Sequence, residues 1–80
     1  MVQIPELLRL AKEGKKQFQI QSLRGDELVV LRLHEMGLGP GVALEYVGRA
    51  PFGGPLLFRY EATVLALREE EYQCIQLKTQ

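Results

Sequence analysis

The chain is 80 residues long, and its ten basic and ten acidic residues give a formal net charge of zero at pH 7. Hydrophobic residues make up 46% of it and charged residues 25%, a composition typical of a soluble protein with one hydrophobic core. These values exclude a disordered chain and disfavour long nucleic acids as partners, because no excess of positive charge attracts a polyanion. We predict a single domain over residues 1–80.

The sequence carries one cysteine, Cys74, and no segment typical of export or membrane insertion. One cysteine cannot form an intrachain disulfide, so we expect Cys74 to be a small buried apolar residue. The N-terminus has no basic stretch ahead of an apolar core. The longest apolar runs, LVVL and VLAL, fall far short of the roughly 20 residues that cross a bilayer. We therefore expect a cytoplasmic protein without direct membrane insertion.

Two elements are predicted at the start of the chain. Pro5 and Gly14 bracket a short helix, with proline at its first position and glycine just past its end. From Gln17 to Leu23 the residues QFQIQSL alternate between polar and apolar. This alternation predicts a strand that packs on one face only, through Phe18 and Ile20.

A second helix is predicted over DELVVLRLHEM, although its valines would also suit a strand. The ends of the segment favour the helix. Asp26 is a good N-cap, Glu27 places negative charge in the first turn, and Gly37 can adopt the left-handed conformation that ends helices. Leu38 would then contact Leu33, as in the Schellman motif.

The glycine-rich stretch MGLGPG is interpreted as a turn of the chain and not as a phosphate site. Gly39, Pro40, Gly41 and Val42 fit a type II turn, with proline second and glycine third. A dinucleotide-binding fingerprint would need glycine where Val42 stands. The later stretch GRAPFGGP lacks the Lys and Ser/Thr of a P-loop. We therefore predict no bound cofactor.

The remainder of the chain is predicted to form strands. They are VALEYVGRA, PLLFRYE, TVLALR and CIQLK, with a turn at PFGG and an acidic linker at EEEY. With the first strand this makes five short strands, in a chain too small for two large packed sheets. The predicted fold is mainly β: a small SH3-like five-stranded barrel with one inserted α-helix and a short N-terminal helix. Closure of the barrel would remove the exposed sheet edges.

Four motifs in this order resemble the ferrous iron transport protein A family, FeoA. They are RLHEMGL at the end of the second helix, the PG turn, the hairpin RAPFGGP and a late ALR segment. The resemblance extends from about Leu7 to Leu77. It implies an SH3-like barrel with a helical insertion, and a cytoplasmic accessory protein of bacterial ferrous iron uptake. The implied partner is the FeoB membrane permease, which carries a GTP-binding domain on its cytoplasmic side.

The sequence departs from the pattern of that family at two positions. Ala62 stands where the family often has glycine, so we expect a different or slightly strained turn before TVLALR. Tyr72 stands where the family usually has alanine, so we expect different packing before the last strand.

Residue types that carry catalysis or bind metals are sparse. His34 and Glu35 match half of an H-E-x-x-H zinc motif, but Leu38 stands in place of the second histidine. We expect His34 to lie at a helix end, where its partial charge suits the dipole. The glutamates at 69–71 are consecutive and point in different directions, and Cys74 has no orienting carboxylate or oxyanion-hole motif nearby. We predict a non-enzymatic protein with no catalytic residues and no metal site.

The strongest candidate for partner binding is the aromatic residue in RAPFGGP. Phe52 lies at a hairpin tip with few neighbours, although its ring could instead fold back over the barrel end. Aromatic residues and arginine are enriched in binding hot spots. The predicted partner-binding residues are Met36, Leu38, Arg49, Pro51, Phe52, Gly53, Gly54 and Pro55.

Two alternative functions are left open. One is an SH3-like regulatory domain related to the C-terminal domain of iron-dependent repressors, although no helix-turn-helix segment precedes the domain in a chain that starts at Met1. The other is a small RNA-binding barrel, which the zero net charge opposes. The early basic cluster is interleaved with glutamines and few aromatics, so we expect a solvated surface there. Its members are Lys12, Lys15, Lys16 and Arg24.

Overall fold

The computed structural model describes residues 4–79, with three helices and five strands. In chain order these are α1 Ile4–Lys12, β1 Gln17–Leu23, α2 Glu27–Glu35, β2 Ala43–Arg49, β3 Leu56–Tyr60, β4 Thr63–Leu67, α3 Glu69–Tyr72 and β5 Ile75–Thr79. The strands form one antiparallel sheet in the spatial order β4-β3-β2-β1-β5. This confirms the predicted mainly β fold with a helix between the first two strands.

The sheet bends around the core at two irregularities in its register. One lies between Ile20 and Ser22 of β1 and the other between Tyr46 and Gly48 of β2. Bulges of this kind increase the local twist and bend the strand that carries them. Within residues 4–79, β4 pairs only with β3, and β5 only with β1. The expectation that barrel closure removes the exposed sheet edges is therefore wrong. The outer strands, β4 and β5, are connected along the chain by α3 and are not paired with each other.

The core is built from the inward residues of the strands together with one face of the helices. Phe18 and Ile20 are both 0% exposed, which confirms the alternation predicted for β1. The Phe58 ring is also fully buried and meets the Tyr46 ring edge-on, with centroids 5.7 Å apart. Cys74 is buried, as predicted, and its Sγ–H donates to the Glu70 carbonyl over 3.6 Å. The buried apolar residues are Leu7, Phe18, Ile20, Val29, Leu33, Leu38, Leu44, Leu56, Phe58, Leu67, Cys74, Ile75 and Leu77.

Both ends of α2 have the predicted capping structure. The Asp26 carboxylate accepts hydrogen bonds from the backbone N–H groups of Leu28 and Val29 at 2.9 and 3.2 Å. At the other end the Leu38 N–H donates to the Leu33 carbonyl at 3.0 Å, and Gly37 has φ +91°. These are the bonds and backbone of a Schellman motif. The capping interactions at its two ends therefore explain why this segment is a helix, although its valines would also suit a strand.

Removing the N-cap carboxylate should lower stability by a measurable amount. We expect Asp26→Ala to reduce the free energy of unfolding by about 1 kcal/mol, because two N–H groups at the helix start lose their acceptor. Asp26→Asn is the matched control and should stay close to the wild type, since asparagine caps equally well. Denaturant unfolding of the three proteins tests this. Equal losses for both variants would show that charge, and not capping, is what Asp26 contributes.

The turn after α2 also follows the sequence prediction. The Val42 N–H donates to the Gly39 carbonyl at 3.1 Å, and Gly41 has φ +91°, as a type II turn with glycine third requires. The turn also lies against β1, because the Gly41 N–H donates to the Ile20 carbonyl at 2.8 Å. The glycines of MGLGPG thus have a complete explanation in backbone geometry.

One local expectation needs correction. The acidic EEEY segment is not a linker but the single-turn helix α3, which begins where the Glu71 carboxylate accepts from the Arg68 N–H at 2.9 Å. Negative charge in a first turn complements the helix dipole. The turn before β4 is strained, as expected: Glu61, the residue before Ala62, has a positive φ of 55°. Tyr72, the other departure from the family's pattern, is half-buried against the core.

Candidate partner-binding surface

The loop at residues 50–55 joins β2 to β3 and is held by hydrogen bonds among its own residues. The Ala50 N–H donates to the Pro55 carbonyl at 2.9 Å, and the Gly54 N–H lies 3.3 Å from the carbonyls of both Ala50 and Pro51. A Cβ added at Gly54 would lie 2.9 Å from that of Ala50, so the close approach requires glycine. We call this segment the hairpin loop. These hydrogen bonds restrict the loop backbone, which lowers the entropy lost on binding.

Phe52 projects from the tip of the hairpin loop into solvent. Its relative exposure is 106%, so the ring does not fold back over the end of the sheet. Its backbone is left-handed, with φ +62°. That conformation costs a residue other than glycine about 1–2 kcal/mol, and here no packing within the described chain offsets it. An exposed aromatic ring on strained backbone is the kind of feature that indicates a binding role.

Arg49 ends β2 and lies against the base of the hairpin loop. Its Nε–H donates to the Gly54 carbonyl at 3.3 Å. Within residues 4–79 its other guanidinium N–H groups make no hydrogen bond or ion pair. The bond to Gly54 orients the guanidinium, and the remaining donors can pair with a carboxylate of another molecule.

A cleft of about 400 Å³ lies between the hairpin loop and α3. Four of the predicted partner-binding residues line it on the loop side: Arg49, Gly53, Gly54 and Pro55. The opposite side consists of residues that the sequence analysis did not select: Arg68, Glu69, Glu70 and Tyr72. Two arginines and two glutamates balance each other in charge. Tyr72, one of the two departures from the family's pattern, is among them.

The other four predicted residues do not line the cleft: Pro51 and Phe52 lie at the tip of the hairpin loop, and Met36 and Leu38 lie elsewhere. Leu38 is 1% exposed and belongs to the core, so its assignment to a partner-binding surface is wrong. The Schellman motif turns its side chain inward against Leu33. Met36 is exposed at the C-cap of α2 but does not line the cleft. The candidate surface therefore consists of Arg49 and residues 51–55, with the residues of α3 opposite.

The remaining residues whose side chains could carry chemistry are His34, Cys74 and the glutamates at 69–71. Among the residues that the structure describes, no group of three or more His, Cys, Asp and Glu side chains could hold a metal ion. His34 is exposed in the last turn of α2, whereas Cys74 is buried. Over the same part of the chain, no helix is long and apolar enough to span a bilayer.

The strand order, the bent antiparallel sheet and the exposed hairpin loop define a small SH3-like β domain. The chain belongs to the FeoA domain family, whose sequence profile matches residues 7–79. No curated protein matches it. The family suggested by the four sequence motifs is thereby confirmed.

Solved bacterial structures support the same fold. The chain is similar to a FeoA-like protein from Clostridium acetobutylicum, with 25% identity and a TM-score of 0.73 over 81% of this chain and 76% of that one. It is similar to FeoA from Stenotrophomonas maltophilia, a prokaryotic SH3 domain protein complexed with zinc, with 25% identity and a TM-score of 0.66 over 80% of each chain. It shares the fold alone with the manganese regulator SloR, at 11% identity and a TM-score of 0.72 over 81% of this chain and 30% of that one.

Proposed function

We propose that the protein is a non-enzymatic cytoplasmic accessory factor of ferrous iron uptake, and that it docks on a FeoB-type permease through the hairpin loop. Membership of the FeoA family supports the role in iron transport. The S. maltophilia relative is described as a candidate activating factor of bacterial ferrous iron transport. In this role iron is the cargo of the permease and not a cofactor of the accessory protein.

The single observation that carries the docking surface is the position of Phe52, fully exposed on left-handed backbone. Burying such a side chain against a partner contributes about 1.5–3 kcal/mol, none of which the isolated domain obtains. The hydrogen bonds of the hairpin loop hold the backbone that carries the ring, so little backbone ordering is needed on docking. Arg49, which donates to the Gly54 carbonyl of the same loop, supplies a cation for a carboxylate of the partner.

A net charge of zero means that long-range attraction contributes little to this encounter. Affinity must then come from local contacts, which favours a few anchor residues over a broad charged surface. The likeness to SloR concerns the fold alone and favours no regulatory role. The net charge of zero opposes RNA binding.

Nuclear magnetic resonance can test the surface directly. We expect the purified cytoplasmic domain of the permease from the same bacterium to bind the ¹⁵N-labelled protein saturably. Amide signals of the non-proline residues in 49–55 and of residues 68–72 should shift, while those of Leu28 and Leu31 on the exposed side of α2 should not. An unrelated GTP-binding domain serves as the control. Absence of binding, or shifts confined to α2, would contradict the proposal.

A further inference from the structure

A second groove, of about 460 Å³, lies between α1 and β2 and shares Arg49 with the cleft. Its apolar part consists of Leu8, Ala11, Tyr46 and Val47, and we call it the α1 groove. Val47 is 41% exposed, so a large apolar side chain of another molecule could cover it. Its size falls in the ~300–1,000 Å³ range of clefts that take a ligand.

The rim of the α1 groove is cationic and contains no carboxylate. Lys12, Lys16 and Arg49 line it, and all three are exposed. Within residues 4–79 none of them forms an ion pair, and two acidic residues in and just after α1 are engaged elsewhere. Glu6 and Glu13 both pair with Arg9, at 3.1 and 3.2 Å. Although the whole chain has no net charge, three cationic side chains surround this apolar recess without an ion-pair partner among the described residues.

The backbone holds this arrangement in place. Leu8, Ala11 and Lys12 are spaced i, i+3 and i+4, so α1 presents them on one face. The Tyr46 N–H donates to the Lys16 carbonyl at 2.8 Å, which fixes Lys16 beside β2. Lys12 and Arg49 are thus held by α1 and β2, and the bond to Tyr46 anchors Lys16 in the connection between α1 and β1.

We propose that the α1 groove binds an acidic peptide segment of the docking partner, with an apolar side chain in the recess and carboxylates on Lys12, Lys16 and Arg49. This inference rests on the proposed function and extends it, because Arg49 makes the groove continuous with the hairpin-loop cleft. Charge complementarity selects an acidic occupant. An anionic membrane is a poorer match, since lipid-binding patches typically use about 4–8 basic residues and this rim has three.

The test uses one charge reversal inside the groove and one outside it. Lys16→Glu changes the rim without altering α1, because Lys16 lies beyond the end of the helix. Lys78→Glu is the matched control, on an exposed position of β5 that does not line the groove. Both variants should unfold at the same temperature as the wild type.

The probe is a synthetic peptide in which leucines alternate with pairs of glutamates, compared with a twin that has glutamine at every glutamate. We expect the acidic peptide to bind the full chain, and salt to weaken it. Lys16→Glu should reduce that affinity about tenfold, since reversal replaces an attraction with a repulsion of similar size. Lys78→Glu should stay within about twofold, because Lys78 does not line the groove. Equal binding of the glutamine twin, or no peptide binding at all, would overturn the inference.

Two further measurements identify other occupants and separate this inference from the proposed function. Binding to vesicles that contain phosphatidylserine and self-association of the chain are measured for the wild type and for Lys16→Glu. If the substitution abolished vesicle binding or self-association and left peptide binding unchanged, a membrane or a second copy of the chain would be the occupant of the α1 groove. Titration with the permease's cytoplasmic domain completes the test. If Phe52→Ala weakens that binding and Lys16→Glu does not, the groove inference fails while the proposed function stands. If the domain does not bind but the acidic peptide does, the proposed function fails and the groove remains a peptide site.

Discussion

Replacing Phe58 by alanine should lower the free energy of unfolding by about 3–5 kcal/mol, a large part of the total of about 5–15 kcal/mol that is typical of a domain. Phe58 is fully buried at the middle of β3, and the substitution also removes the edge-on contact with Tyr46. The large cavity left in so small a core cannot be filled by neighbours without moving strands. Denaturant unfolding gives the loss directly.

The control for Phe58→Ala is the same substitution at an exposed phenylalanine. Phe52→Ala removes an identical ring from a fully exposed position and should change stability by no more than about 0.5 kcal/mol. A difference of several kcal/mol between the two substitutions therefore reports burial alone. Similar losses for both would contradict the placement of Phe58 in the core and of Phe52 in solvent.

The largest expected effect on binding belongs to Phe52→Ala. If Phe52 anchors the partner, affinity for the permease's cytoplasmic domain should fall about thirtyfold or more, which corresponds to about 2 kcal/mol. The variant should remain fully folded, so the loss cannot be attributed to a smaller folded fraction. Affinity by titration and stability by denaturant unfolding should be measured on one preparation.

Val64→Ala is the matched control for this prediction. Val64 is an exposed apolar residue of β4, 53% accessible, that lines neither the cleft nor the α1 groove. Its truncation should leave affinity within about twofold, because most exposed positions outside a hot spot contribute little. Unchanged affinity in folded Phe52→Ala would remove Phe52 from the site. Equal losses in both variants would indicate a broad apolar contact and not an anchor.

The elements that the sequence predicted well have local causes. The alternation around Phe18 and Ile20 defines the buried face of β1, because side chains of a strand alternate between its two faces. The limits of α2 follow from Asp26 and Gly37, whose side-chain acceptor and left-handed backbone act within a few residues. Such interactions depend on near neighbours and can be recognised without the tertiary structure.

The errors concern features that long-range packing decides. Leu38 was assigned to a partner surface although the contact predicted with Leu33 already required it to turn inward. The cleft opposite the hairpin loop depends on where α3 lies, and nothing within RAPFGGP indicates that Arg68 faces it. The expected barrel closure failed because pairing between outer strands depends on the bend of the whole sheet. Phe52 was selected correctly as exposed because a proline and a glycine flank it at a hairpin tip.

Uptake of ferrous iron in cells tests the central claim most directly. In a strain that lacks the gene, the wild-type protein should restore uptake, and Val64→Ala should do so equally. Phe52→Ala, present at the same level as shown by immunoblot, should restore little, because its docking contact is lost while its fold is kept. Full restoration by Phe52→Ala, or normal uptake in the strain without the gene, would contradict a role for the hairpin loop in ferrous iron transport.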